Sequence, residues 1–117
     1  MIILVVEDDE SIRQGLADVL ENEGYRVITA KNGEEGLERL WEDQPDLVIL
    51  DLMMPVMDGF EFKKIMDSHP ERRTIPVIVF SAHGGWVPPE MKVACVLDKS
   101  TPLDKILNAV KRYLNIQ

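Results

Sequence analysis

A chain of 117 residues with 45% apolar content has room for one domain and one core, and is too apolar to be a disordered tail. Its formal net charge of -8 argues against nonspecific binding to nucleic acid or an anionic membrane, because the long-range force would be repulsive. A single cysteine excludes an internal disulfide, and no apolar run is long enough to span a bilayer.

Taken in chain order, apolar runs alternate with helical periodicity. Ile2-Ile3-Leu4-Val5-Val6 predicts a strand that runs into Glu7-Asp8-Asp9. It starts directly after Met1 with no basic or apolar leader, so export is not expected and a reducing cytoplasm is. Ile12, Leu16, Val19 and Leu20 recur at helical spacing, with Asp9 read as the start of that helix and Gly24 as its stop. Tyr25 to Thr29 is a shorter, more polar strand, suited to an edge. Asn32 predicts a cap, with Glu35 at the third position and Leu37, Leu40 and Trp41 facing inward before Pro45 closes the helix. Leu47-Val48-Ile49-Leu50 predicts a third strand that runs into Asp51. Asp58 and Glu61 repeat the capping pattern ahead of a core stripe of Phe62, Ile65 and Met66, which His69-Pro70 ends. Val77-Ile78-Val79-Phe80 runs into Ser81, and Val93-Ala94-Cys95-Val96-Leu97 into Asp98-Lys99, with Cys95 read as a small buried hydrophobe. Thr101 as cap and Pro102 at the first helical position begin a last helix with Leu103, Ile106, Leu107, Val110 and Leu114 on one face.

Five strands alternating with helices predict an α/β fold, a doubly wound parallel sheet with helices on both faces. Strands 1, 3, 4 and 5 are apolar almost throughout, as strands buried on both sides are. A flavodoxin-like (βα)5 arrangement with strand order 2-1-3-4-5 sets strands 1 and 3 side by side at the topological switch point. The carboxyl ends of parallel strands share one edge, so the acids, the Ser81 hydroxyl and Lys99 are expected to meet there. The whole chain, residues 1–117, reads as one domain without repeats or linkers.

Asp51-Leu52-Met53-Met54-Pro55-Val56-Met57-Asp58-Gly59 resembles the phosphoacceptor signature of response-regulator receiver domains of two-component signalling. Leu4-Val5-Val6-Glu7-Asp8-Asp9 resembles the acidic end of that family's first strand, and Ser81-Ala82 and Lys99 stand where its hydroxyl and lysine belong. The resemblance implies a phosphorylation-dependent switch rather than an enzyme with its own substrate. Asp51 would take a phosphoryl group from a histidine kinase or phosphotransfer protein, and Lys99 and Ser81 would hold its oxygens. Mg²⁺ would be bound by Asp8, Asp51 and the backbone carbonyl of Met53, with Glu7 acting through water. A downstream protein would read the modified state, with no direct contact to nucleic acid. Met53, Met54 and Met57 are otherwise expected to serve as packing side chains.

Three departures from the family pattern bear on signalling. Receivers usually follow the active-site lysine with proline, whereas here Lys99 is followed by Ser100, so a different loop conformation is expected. Gly84, Gly85, Pro88 and Pro89 crowd the fourth-helix region, which should be shortened to one turn at Pro89 to Lys92 or missing. Val96 occupies the position of the family's aromatic switch residue. Signalling is therefore expected to pass through Ala82 to Met91, where Trp86 is a lid, a partner anchor or a core cover. Met53 and His83, two positions past Asp51 and Ser81, would tune water access to the phosphoryl group. The rival readings are a pseudo-receiver that binds without switching and an aspartyl-nucleophile phosphatase. The phosphatase pattern wants a second Asp where Met53 stands, and a cofactor carrier wants a phosphate loop after strand 1.

Overall fold

The structure, a computed structural model, describes residues 1–82 and 86–114. Five strands form one parallel sheet: β1 Ile2–Val6, β2 Arg26–Ala30, β3 Leu47–Leu50, β4 Val77–Ser81 and β5 Cys95–Asp98. Their order is β2-β1-β3-β4-β5, the expected flavodoxin-like winding, with β2 and β5 as edges. Four helices connect or follow them: α1 Glu10–Asn22, α2 Gly33–Asp43, α3 Gly59–Asp67 and α4 Leu103–Leu114.

Alternation along the strands divides the core in two. Leu4, Val6, Val48, Leu50 and Val79 face α2 and α3, where Leu40, Phe62 and Met66 are fully buried. Ile3, Val5, Ile49 and Ile78 face α1 and α4, where Leu20 and Val110 are fully buried. Both faces are covered, which is why the inner strands are continuously apolar.

The helix starts follow local chemistry. Asp9, Asn32 and Asp58 each accept a hydrogen bond from the backbone N–H three residues on, at 3.0, 2.8 and 2.9 Å. At the end of α1, Gly24 has φ +95°, its N–H reaches Glu21 O, and Tyr25 N–H reaches Leu20 O. That is a Schellman closure, and it needs glycine at the left-handed position. The last helix starts one residue later than its residues suggested: the Pro102 carbonyl accepts from Lys105 and Ile106, so Pro102, not Thr101, holds the cap position. The second and last strands are likewise displaced toward the C-terminus, to Arg26–Ala30 and Cys95–Asp98.

Among the described residues no helix lies between β4 and β5. The turn expected at Pro89 to Lys92 is a single hydrogen-bonded turn, with Met91 N–H bonded to Pro88 O at 2.9 Å. Val87, Met91, Val93 and Val96 lie partly buried against the α2–α3 side of the core. Trp86 is 71% exposed, which rules out its reading as a core cover. Cys95 is half-buried rather than buried, and burial pushes its thiol pKa up. No described helix is long and apolar enough to cross a membrane.

Candidate functional site

Neighbouring strand ends bring the acids together. Pairing continues past β1, where Glu7 N–H reaches Ala30 O, and past β3, where Asp51 N–H reaches Val6 O, both at 3.0 Å. Asp51 is therefore held beside Glu7 and Asp8 at the edge shared by the strands' carboxyl ends. Asp51 and Glu7 are buried, and Asp8 is exposed at the mouth. The turn after Asp51 depends on a close approach. Gly59 N–H donates to Leu52 O at 2.9 Å, and a Cβ on Gly59 would collide with Asp51 O and the Leu52 Cα.

Lys99 supplies the cation. Its N–H donates to Ser81 O at 3.0 Å, extending the β4–β5 ladder by one residue. Its ammonium then lies 2.7 Å from Glu7 Oε1 and 3.4 Å from Asp51 Oδ2. Burial pushes the Glu7 pKa up to about 7, against the pull of Lys99. Burial also raises Asp51, with the Lys99 charge opposing it. At Asp8 burial opposes ionisation, but hydrogen bonding with Asp51 and Glu7 prevails and holds its pKa below the ordinary value. Burial works against the charged Lys99 too, yet pairing with Glu7 and Asp51 outweighs it and raises its pKa.

The donor set fits a small hard cation. Glu7, Asp8 and Asp51 each offer a carboxylate oxygen within 4.8 Å of the others. Three carboxylates face one ammonium, so a second positive charge beside them favours the state in which all three are ionised. Glu7 Oε1 is buried and receives no aligned hydrogen bond, although Lys99 pairs with it as an ion. A cleft of about 320 Å³ opens over this group, lined by Asp8, Asp9, Ile12, Asp51, Met53, Ala82 and Lys99. Oxygen donors with open space beside them suit an ion that keeps part of its water shell.

Residues 3–111 match the family model of the response regulator receiver domain. The chain belongs to the response-regulator receiver family. This receiver is 35% identical to sporulation initiation phosphotransferase F of Bacillus subtilis over 119 residues, 98% of this chain and 94% of that protein. It is 49% identical to response regulator RR06 of Streptococcus pneumoniae over 84 residues, 72% of this chain and 37% of that protein. The chain thus spans little more than a third of that relative's length. Among solved structures, chemotaxis protein CheY4 of Vibrio cholerae superposes with a TM-score of 0.85 at 29% identity, covering 96% of this chain and 97% of that one.

In this receiver, five of the expected site residues do gather at one strand edge. Glu7, Asp8, Asp51 and Lys99 form the charged group, and Met53 lines the cleft. Ser81 is buried at the end of β4, in register with Asp98. Asp9 caps α1 and also donates its N–H to Glu7 Oε2 at 3.1 Å. Met53 is not a packing side chain: it is 67% exposed, whereas Met54 and Met57 pack against the core. His83 lies outside the described residues.

Two contributors carried no clear signal in the sequence. The Arg13 guanidinium donates to the carbonyls of Glu7 and Asp8 at 2.9 and 3.2 Å, bracing the acidic loop from the first turn of α1. Asp98 Oδ1 accepts from Ser100 N and Ser100 Oγ, at 2.6 and 2.5 Å, fixing the turn that follows β5. The only hint was position: a base in the helix after the acids, and a short acid beside the lysine.

Proposed function

We propose that this receiver accepts a phosphoryl group on Asp51 from a phosphohistidine of a histidine kinase or phosphotransfer protein. The transfer depends on magnesium and switches binding to a downstream protein. One observation carries this reading: the buried Asp51 carboxylate lies 3.4 Å from Lys99 and shares an oxygen cluster with Glu7 and Asp8. That the B. subtilis relative is named a phosphotransferase agrees with it. A cytoplasmic setting, where such donors are found, goes with the reading.

In the transfer, an Asp51 oxygen attacks the donor phosphorus as the phosphorus–nitrogen bond breaks. The imidazole leaves with the electron pair, and an acyl phosphate forms. Asp8, Asp51 and the Met53 carbonyl would hold Mg²⁺, with Glu7 acting through water, and the ion would neutralise charge on the phosphoryl oxygens. Lys99 is close enough to Asp51 to pair with a phosphoryl oxygen there, and Ser81 would offer its hydroxyl. Arg13 keeps the acidic loop in place while charge shifts.

Intact mass after treatment with acetyl phosphate tests this. One added phosphoryl mass with Mg²⁺, absent without it and absent in Asp51→Asn, is the expected result. No mass gain in the parent, or an equal gain in the variant, overturns it. A second reading, a module that binds without switching, draws support from the lack of a described helix between β4 and β5. Verified phosphorylation that leaves Trp86 emission unchanged would favour it.

A further inference from the structure

The segment after β5 shows how this chain holds its lysine without a following proline. Asp98 closes β5 in register with Ser81. Thr101 N–H returns to Asp98 O at 2.9 Å, making a four-residue turn with Lys99 at its first corner and Ser100 at its second. The Asp98 side chain closes the same turn from within, accepting from Ser100 N at 2.6 Å and from Ser100 Oγ at 2.5 Å. No described peptide bond is cis. Two ring closures therefore cross one corner, and the residue between them carries the ammonium that reaches Glu7 and Asp51.

We propose that Asp98 and Ser100 are positioning residues for Lys99, their side-chain and backbone hydrogen bonds fixing the corner from which its side chain springs. The physical reason is leverage. The lysine stem is four methylenes long and rotamer-rich, so its head is aimed only if its Cα is fixed. Lys99 N–H on Ser81 O fixes one side of that Cα, and the Asp98–Ser100 closure fixes the other. The Ser100 bonds also hold the Asp98 pKa below the usual carboxylate range, so this acceptor stays ionised at neutral pH. Asp98 is exposed and does not touch the reacting group, so it acts through the backbone.

This inference rests on the phosphoacceptor reading, and the test separates the two. The full chain and its Asp98→Ala, Asp98→Asn and Ser100→Ala variants are compared in two measurements. The first is the rate of Mg²⁺-dependent phosphorylation by acetyl phosphate, followed by intact mass. The second is the nitrogen NMR signal of the Lys99 ammonium in the unphosphorylated protein. Asp98→Ala should slow phosphorylation about tenfold and broaden or shift the ammonium signal, because small misplacements of a charge-stabilising group are costly. Asp98→Asn keeps an acceptor oxygen and should restore most of both, and Ser100→Ala should fall between. A rate and signal in Asp98→Ala equal to the parent's would overturn the proposal. So would failure of Asp98→Asn to restore them while the fold persists by circular dichroism. If the parent takes no phosphoryl group but the ammonium signal still follows this order, Asp98 and Ser100 position the lysine and the phosphoacceptor reading falls alone.

Discussion

Lys99 Nζ lies closer to Glu7 Oε1, at 2.7 Å, than to Asp51 Oδ2, at 3.4 Å. In this state the ammonium is held mainly by Glu7, not by the proposed phosphoacceptor Asp51. Glu7 is therefore the nearer of the two acceptors, and on the proposed reading charge arriving on Asp51 would draw the ammonium across by a short swing.

Lys99→Met should separate cation binding from transfer. It removes a positive charge that competes with a metal for the three carboxylates, so Mg²⁺ should bind more tightly. Phosphorylation should nonetheless slow by roughly 10²-fold, the usual cost of losing one charge-stabilising donor. Mg²⁺ titration by calorimetry and phosphorylation followed by intact mass check the two halves. Weaker Mg²⁺ binding in the variant would contradict the electrostatic account.

Glu7 sets a pH dependence in metal-free protein. Its pKa rises from 4.5 to about 7 on folding, so between those values the folded chain holds a proton that the unfolded chain has lost. Stability is then fully present below pH 4.5 and declines as pH rises toward 7. The effect is on the order of 2 kcal/mol once screening by water in the open cleft is allowed for. Urea unfolding should show this slope in the parent and a much flatter one in Glu7→Gln. Magnesium should stabilise the parent more at pH 7.5 than at pH 5, because the ion needs ionised carboxylates.

Val56 is a site of stored strain. Its φ is 69°, and Met57 N–H reaches back to Pro55 O at 2.8 Å across it. That is a γ-turn in the left-handed region, costly for a β-branched residue. The side chain is exposed and gives little packing in return. Val56→Asn should stabilise the fold by about 1 kcal/mol, read as a higher urea midpoint at unchanged slope.

Lys63 is buried on α3, with its ammonium 2.6 Å from Asp67 Oδ2 one turn on. Asp67→Ala would leave that charge unpaired and should cost about 3 kcal/mol. Lys63→Met removes the charge and keeps the stem, and should be close to neutral. Thermal unfolding of the two variants side by side measures the difference.

Gly59→Ala should destabilise by about 2 kcal/mol and slow phosphorylation together, because the new methyl pushes on the backbone of Asp51 and Leu52. Loss of stability with an unaltered phosphorylation rate would show that the turn can move without disturbing the acid.

What could be read in advance was what depends on near neighbours. The runs Ile2–Val6 and Leu47–Leu50, and the caps Asp9, Asn32 and Asp58, are local chemistry, and the structure realises them with boundaries moved by a residue at most. The meeting of Glu7, Asp8, Asp51 and Lys99 was legible because parallel winding fixes where strand ends go. Met53 misled, because a methionine in an apolar stretch looks like core until the loop turns it to solvent. The left-handed Val56 was invisible, since its identity argues against the conformation it adopts. Arg13 and the Asp98–Ser100 closure were missed because each takes its meaning from backbone that only the fold brings within reach.

Asp51 follows β3, the middle strand of five, gripped by β1 on one flank and β4 on the other. An anchor of that kind is among the last parts of a sheet to exchange its amide protons. The edge strand β5 is paired with β4 alone. The proposed phosphoacceptor is thus mounted on the strand most fully enclosed by its neighbours, while Lys99 follows a strand with a neighbour on one flank.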